Sequence, residues 1–110
     1  MSKTDKKVVF ITAGSMAEAE KIAKSLVEEN LAVCVNIIPS IRSVYRWEGK
    51  VCDDNETLLI AKTNDKNLES LTARVEKLHS YSTPEVISIS IDGGSEKYLA
   101  WMDRCLCKTM

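Results

Sequence analysis

The order of strand-like and helix-like segments is the feature that most constrains the fold of this 110-residue chain. Runs rich in β-branched and aliphatic residues predict strands. They cover residues 7–14, 31–38 continued by 41–48, 56–63, and a last run that starts at Pro84. Apolar residues at helical spacing separate the first strand from the second and the third from the fourth. The order β-α-β-β-α-β predicts an α+β, ferredoxin-like fold (split β-α-β), an antiparallel sheet with two helices on one face, extended here by a C-terminal helix.

The ends of the first two helices carry local signals. Ser15 and Glu18, three residues apart, form a capping-box pattern that predicts the start of the first helix. Asn30 suits the left-handed conformation that ends a helix, and Asn64 or Asp65 is predicted to cap the second helix. Apolar residues of the second helix recur at i, i+3, i+7 and i+10, and they are Leu68, Leu71, Val75 and Leu78. This spacing predicts one buried face.

The last strand completes a single predicted domain. Ile87, Ile89 and Ile91 alternate with serines, which predicts one buried face and one small polar face. The hydrophobic content of 45% and the charged content of 28% are ordinary for a globular protein. We therefore expect one domain over residues 1–110, with residues 1–6 as a flexible N-terminal tail.

The two middle strands are predicted to form a hairpin that outgrows the sheet. Pro39 cannot donate a hydrogen bond to a neighbouring strand, so it marks a bulge in one bent strand, and residues 48–50 form the tip. The outer half carries Val44, Tyr45 and Trp47 beyond the shorter first and fourth strands. Because an exposed apolar hairpin with unpaired edges aggregates unless another chain covers it, we expect a homo-oligomer. A homotrimer is the smallest ring beyond a two-fold pair in which each hairpin extends the neighbouring sheet.

Charge and hydropathy argue against several classes of function. The 15 Lys and Arg and 16 Asp and Glu residues give a net charge of −1, which provides no attraction to polyanions. The third strand, E-T-L-L-I-A-K-T, has no aromatic residue to stack on a base, so no nucleic-acid partner is expected. No apolar run reaches the roughly 18 residues needed to cross a bilayer, so no membrane partner is expected. The polar N-terminus lacks a signal-peptide apolar region, and we expect a cytoplasmic protein.

His79 is the single histidine and lies at the end of the second predicted helix. One interpretation is a structural cap, because an imidazole near a helix C-terminus bonds the last carbonyls and favours the helix dipole. The other interpretation pairs His79 with Glu85 as ligands for a borderline divalent ion such as copper or zinc. Two ligands make a weak metal site, so a third has to come from a neighbouring subunit, water or a thiol.

Catalysis is not expected from this sequence. Every histidine-dependent scheme has to use His79, and no G-x-S-x-G elbow is present. The chain also lacks G-x-x-x-x-G-K and G-x-G-x-x-G phosphate loops, which leaves a cleft between subunits as the place for a small ligand. We therefore expect a protein that is not an enzyme.

Residues 36–50, N-I-I-P-S-I-R-S-V-Y-R-W-E-G-K, closely resemble the hairpin of the divalent-cation tolerance family usually called CutA, in which glycine commonly stands where Ser40 is. The likeness extends over about residues 8–104 and includes L-L-I-A-K-T, P-E-V-I and Y-L-A-W. The resemblance implies a ferredoxin-like homotrimer held by long hairpins, a cytoplasmic location, and a link to copper and other divalent metals.

The resemblance also implies a metal site. In bacterial relatives, copper binding is associated with the histidine and glutamate of an H-P-Y-x-x-P-E motif and with a cysteine near the end of the first strand. This chain has H-S-Y-S-T-P-E at residues 79–85, so His79 and Glu85 match, while Ile11 or a neighbour stands in place of the cysteine. Because the softest ligand is missing, the resemblance implies weak binding of Cu(II) or another divalent metal, with no cofactor required.

Two further functions follow from the resemblance. The family trimer resembles PII signalling proteins, which bind small effectors in clefts between subunits, and Tyr45, Trp47, Lys62 and Tyr81 are then candidate cleft residues. Tyr45 and Trp47 lie on one face of the hairpin. Without the resemblance, the residues themselves favour packing between subunits over ligand binding as the role of these two aromatic side chains. The third function is a trimeric scaffold that anchors a partner protein.

Overall fold

The computed structural model describes residues 4–106 of the chain. The elements are β1 (Lys6–Ala13), α1 (Met16–Glu28), β2 (Cys34–Trp47), β3 (Lys50–Asn64), α2 (Asp65–Leu78), β4 (Val86–Ser90) and α3 (Glu96–Leu106). The four strands form one antiparallel sheet in the order β2-β3-β1-β4. The predicted α+β class, with its split β-α-β order and additional C-terminal helix, is confirmed. No helix within these described residues is long and apolar enough to span a membrane.

The core lies between the sheet and the first two helices. Val9 of β1 pairs with Ala61 of β3, and Ile11 pairs with Leu59, so these side chains share one face of the sheet. We call it the helix face. Fully buried residues of the core cluster are Val9, Ile11, Ala13, Ala19, Ile22, Leu26, Leu59, Ala61, Leu71 and Val75. Strands and helices therefore bury their apolar faces against each other, as the predicted helical spacing required.

The predicted helix signals are present in the structure. The Ser15 hydroxyl accepts a hydrogen bond from the Glu18 N–H at 3.2 Å, which caps α1. Asn30 adopts the left-handed conformation, with φ of 60°, just after α1. Asn64 caps α2, because its side-chain oxygen accepts a hydrogen bond from the Asn67 N–H at 2.9 Å.

The β2–β3 hairpin is longer than predicted on its return side. β3 begins at Lys50, directly opposite Trp47, rather than at residue 56. Glu48 and Gly49 form the two-residue tip, and both have positive φ, 49° and 81°. The strand register shifts between Ile38 and Ile41, which places the predicted bulge at the proline. We call residues 41–56, none of which is buried, the outer hairpin, and the rest of the sheet the inner sheet.

The face opposite the helices, the open face, carries apolar residues of β4. Ile87 and Ile89 are each 57% exposed, so the prediction that they are buried is wrong for the single chain. The reason is register, because Ile87 pairs with Phe10 and Ile89 with Val8, whose neighbours Val9 and Ile11 occupy the helix face. An apolar strand face of this kind is typical of a surface that another chain covers.

The chain begins its ordered structure earlier than expected. Lys6, placed in the predicted N-terminal tail, starts β1 and is buried, with its ammonium group 2.7 Å from the Asp103 carboxylate of α3. The ion pair fixes α3 to the end of the sheet where β1 begins, and Met102 of α3 is fully buried there. Residues 1–3 of the predicted tail lie outside the described residues.

Candidate functional site

A cleft of about 690 Å³ lies between the outer hairpin and the loop that follows α2. Two separate segments of the chain supply its aromatic walls, because Tyr45 and Trp47 come from β2 and Tyr81 comes from the loop. Glu56 and Glu85 also line it. The cleft therefore combines aromatic rings with carboxylates in a space large enough for a small molecule.

Both tyrosine hydroxyls donate to carboxylates. The Tyr45 hydroxyl is 2.6 Å from Asp54, and this hydrogen bond raises the pKa of Tyr45 to about 12. The Tyr81 hydroxyl is 2.8 Å from Glu56, and burial together with this bond raises the pKa of Tyr81 above its ordinary value. Both phenols are therefore protonated at neutral pH, and their only O–H donors point to protein carboxylates.

Arg42 is the one basic side chain among the described residues that line the cleft. Its guanidinium group donates two hydrogen bonds to Asp53, at 2.9 and 2.7 Å. This bidentate pair raises the pKa of Arg42 and lowers the pKa of Asp53. The positive charge of Arg42 is therefore matched by a carboxylate on the neighbouring strand.

His79 has both ring nitrogens in hydrogen bonds. Nε2 donates to the Thr12 carbonyl oxygen at 2.6 Å, and Nδ1 accepts from the Tyr81 N–H at 3.1 Å. The side chain is fully buried, and its ring lies 4.6 Å from that of Tyr81, centroid to centroid. These contacts require the neutral tautomer with the proton on Nε2. The imidazole therefore fastens the loop to β1 and sets the position of Tyr81.

Glu18 holds the same loop from α1. Its carboxylate accepts hydrogen bonds from the Ser80 N–H at 2.6 Å and the Ser80 hydroxyl at 3.1 Å, and lies 3.7 Å from Nδ1 of His79. Burial raises the pKa of Glu18, but the bonds from Ser80 outweigh it, and the pKa is lowered overall. The sequence indicated Glu18 only as half of a capping box. Its contact with a residue 62 positions later has no local sequence signal.

The structure separates the predicted site residues into two groups. Tyr45, Trp47, Tyr81 and Glu85 line the same cleft. Lys62 lies away from it, on the inner sheet, where its ammonium group donates to the Asn36 side-chain oxygen. Glu85 is exposed and makes no hydrogen bond or ion pair with any residue in 4–106.

Metal-ligating side chains do not cluster in this part of the chain. No group of three or more His, Cys, Asp or Glu residues within 4–106 is arranged to hold a metal ion. A metal at His79 has to displace the bond to Thr12 or the bond from Tyr81, because the neutral imidazole has no free nitrogen. The predicted pair of His79 and Glu85 is therefore a poor preformed metal site.

Comparison with known proteins gives a consistent family. Residues 7–105 match the model of the CutA1 divalent ion tolerance protein family. The chain is 53% identical over 95 residues to the chloroplastic protein CutA of Arabidopsis thaliana, which covers 86% of this chain and 52% of that protein. It is 47% identical to the divalent-cation tolerance protein CutA of Thermus thermophilus, covering 86% and 92% of the two chains. The structure of the periplasmic divalent cation tolerance protein CutA of Archaeoglobus fulgidus has a TM-score of 0.89 and 40% identity, over 92% and 98%.

These relatives correct the predicted location. One is described as periplasmic and the plant proteins as chloroplastic, so the expectation of a cytoplasmic protein is wrong as a property of the family. The reason is that the shared fold itself contains no targeting signal. A polar N-terminus in one sequence therefore does not determine the compartment. The chain spans about half the length of the plant relatives that it matches.

The family match agrees with the hairpin, the sheet order and the motif residues described above. The names of the relatives refer to tolerance of divalent cations and not to a reaction. With a family model that covers residues 7–105 and relatives at 47% and 53% identity, this chain belongs to the CutA1 divalent ion tolerance family.

Proposed function

We propose that this chain serves divalent-cation tolerance as a sensor that binds a small molecule in the cleft, rather than as a carrier with a tight metal site. The observation that carries the proposal is the meeting of Tyr45, Trp47 and Tyr81, from two segments, around a space of about 690 Å³. Tyr81 is held there by His79, and its loop by Glu18. A wall that is fixed before the ligand arrives lowers the entropic cost of binding.

The chain is proposed to work as a homotrimer. Val51 of the outer hairpin is 68% exposed, and Ile87 and Ile89 expose the open face of β4. Two more copies of the chain would cover these apolar surfaces in a closed ring. Light scattering should give a mass near 3 × 12.3 kDa. A monomer at micromolar concentration would contradict the trimer.

Divalent metal binding, copper included, is the second candidate function, and we expect it to be weak. The exposed Glu85 carboxylate has no protein partner among the described residues, whereas His79 has no free nitrogen. The geometry favours contact of Cu(II) or Zn(II) with Glu85 alone, while His79 as the second ligand stays a prediction from the family motif. Calorimetry should show a dissociation constant of about 1 mM or larger, and Glu85→Gln should increase it further. A micromolar constant would contradict this proposal.

The cleft is tested with the two tryptophans of the chain as a matched pair. Trp47 lines the cleft, whereas Trp101 lies on α3, and the two are similarly exposed, at 46% and 37%. Small metabolites of varied charge should include one that raises the melting temperature of the wild type and of Trp101→Ala in a saturable manner. Trp47→Ala should abolish that rise.

Two results would overturn the cleft as the functional site. One is a melting temperature that no metabolite of the panel changes. The other is a rise of equal size in Trp47→Ala and Trp101→Ala, which would place the ligand elsewhere. If the first result came with a stoichiometric protein recovered by pull-down, the scaffold function predicted from the family would replace the sensor.

A further inference from the structure

We infer that the cleft selects a small organic cation, an aliphatic amine or diamine, over neutral and anionic molecules. The inference rests on the proposed function and names the ligand class of the same cleft. Three properties of the cleft carry it, namely its charge, its hydrogen-bond acceptors and its aromatic walls.

The carboxylates that line the cleft have no ion-pair partner among the described residues. They are Glu56 and Glu85, and the Tyr45 hydroxyl, from another lining residue, donates to Asp54. The one basic lining residue within 4–106, Arg42, is already paired through two hydrogen bonds with Asp53. An anion entering the cleft would meet carboxylates without a compensating free cation. A positively charged ligand would instead meet carboxylates that have no cationic partner.

The cleft offers carboxylate and phenol acceptors, beside the hydroxyl-bearing residues Thr12, Ser43, Ser82 and Thr83, which can donate or accept. The Tyr45 and Tyr81 hydroxyls donate their single hydrogen bonds to Asp54 and Glu56, so they can only accept a hydrogen bond from a ligand. Glu85 keeps both carboxylate oxygens without a partner in the described chain. An ammonium group brings three donors and no acceptor, which matches this lining.

The aromatic walls favour an organic cation over a metal ion. Trp47, Tyr45 and Tyr81 line the cleft, and aromatic rings attract cations and also pack against a hydrocarbon stem. A divalent metal instead requires converging oxygen, nitrogen or sulfur ligands, and no such group of three is arranged within residues 4–106. An amine uses both the rings and the carboxylates, whereas a bare ion uses only the carboxylates.

The test compares three molecules with the same four-carbon chain: the diamine putrescine, the neutral 1,4-butanediol and the dianion succinate. Binding is followed by tryptophan fluorescence in full-length Trp101→Phe protein, so that the signal comes from Trp47, the other of the two tryptophans. Putrescine should change the fluorescence saturably at millimolar concentration or below, and added salt should weaken the binding. Glu85→Gln should weaken it about tenfold. Glu20→Gln, an exposed carboxylate of α1 outside the cleft, is the matched control and should leave it unchanged.

The outcomes separate the inference from the function on which it rests. Binding of succinate or butanediol in preference to putrescine would overturn the amine class while keeping the cleft as a ligand site. Putrescine binding that Glu85→Gln and Glu20→Gln affect equally would overturn the assignment of Glu85 as the charge partner. No fluorescence response to any of the three molecules at about 10 mM would overturn the inference, and the melting-temperature panel would then decide the proposed function by itself.

Discussion

The inner sheet and the outer hairpin share the strands β2 and β3, but their side chains have opposite surroundings. Leu59, on the inner part of β3, is fully buried beneath the helices, whereas Val51, eight residues earlier on the same strand, is 68% exposed. Val44 opposite this segment is 65% exposed as well. One strand therefore passes from a closed apolar core into a region that the chain alone leaves uncovered.

This difference in exposure indicates that one part of the β2–β3 hairpin serves folding and the other part serves function. The inner sheet buries its apolar side chains against α1 and α2, so it supplies the stability of the domain. The outer hairpin contributes little core, and its aromatic residues are arranged around a cleft. Residues that are not needed for the core are free to bind a ligand or another chain. Four substitution experiments test how sharp this division is.

The largest effect is expected from truncating the core. Leu59→Ala should lower the free energy of unfolding by about 3 kcal/mol, because it removes buried methyl groups and leaves a cavity. Val51→Ala on the outer hairpin should lower it by less than about 1 kcal/mol. Urea unfolding at one fixed protein concentration measures both. Equal losses would show that the hairpin and the inner sheet form one core.

A smaller effect is expected at the loop that follows α2, which Glu18 holds to α1. Glu18→Gln should cost about 1–2 kcal/mol at pH 7, because the carboxylate that binds the Ser80 N–H and hydroxyl loses its charge. The pKa of Glu18 is lowered from 4.5, so its contribution is present above that pH and is lost as the pH falls through the lower folded value. Unfolding followed between pH 7 and pH 3 should therefore show a flatter acid limb in the variant. Parallel curves for variant and wild type would exclude this role.

The hairpin tip allows a matched glycine test. Gly49→Ala should destabilise the protein by about 1 kcal/mol, because φ is 81° there and an L-residue is strained, although no atom lies within 4 Å of an added Cβ. Gly93→Ala meets no atom within 4 Å either and is not at positive φ, so it should be neutral or slightly stabilising. Thermal unfolding distinguishes them. Equal effects of the two changes would contradict backbone strain at the tip.

The smallest effect concerns two Arg–carboxylate pairs of similar geometry. Arg74 and Glu29 join α2 to the end of α1, with side chains 32% and 42% exposed, while Arg42 and Asp53 join the hairpin strands at 76% and 45%. Double-mutant cycles should give a coupling of about 0.5–1 kcal/mol for the first pair and less for the second. A larger coupling on the hairpin than between the helices would contradict the order expected from these exposures.

Local sequence signals predicted the ends of the first two helices well. Ser15, Asn30 and Asn64 each act on neighbouring backbone, so their roles are readable from a few residues. The β4 isoleucines show the limit of such reading. Their alternation correctly indicates a strand with one apolar face, but only the register with β1 decides that this face is opposite the helices.

The cleft was predictable only in part. The likeness of the family trimer to PII proteins predicted Tyr45, Trp47 and Tyr81 as residues of a cleft between subunits, and the single chain brings these three together in a cleft of its own. Lys62 was named with them but lies elsewhere, because residues on the same hairpin are separated by distance along the strand. The contact of Glu18 with the loop joins residues far apart in the chain, and no periodic pattern encodes such a contact.

The central claim is that both ring nitrogens of His79 hold the Tyr81 wall of a ligand cleft, which leaves neither nitrogen free for a metal. Because His79 is the single histidine, a long-range ¹H–¹⁵N spectrum of labelled protein reports its two ring nitrogens without overlap. We predict a proton on Nε2, an unprotonated hydrogen-bonded Nδ1, and no change in either signal on addition of one equivalent of Zn(II). Ring signals that move saturably with Zn(II), or a proton on Nδ1, would contradict the claim.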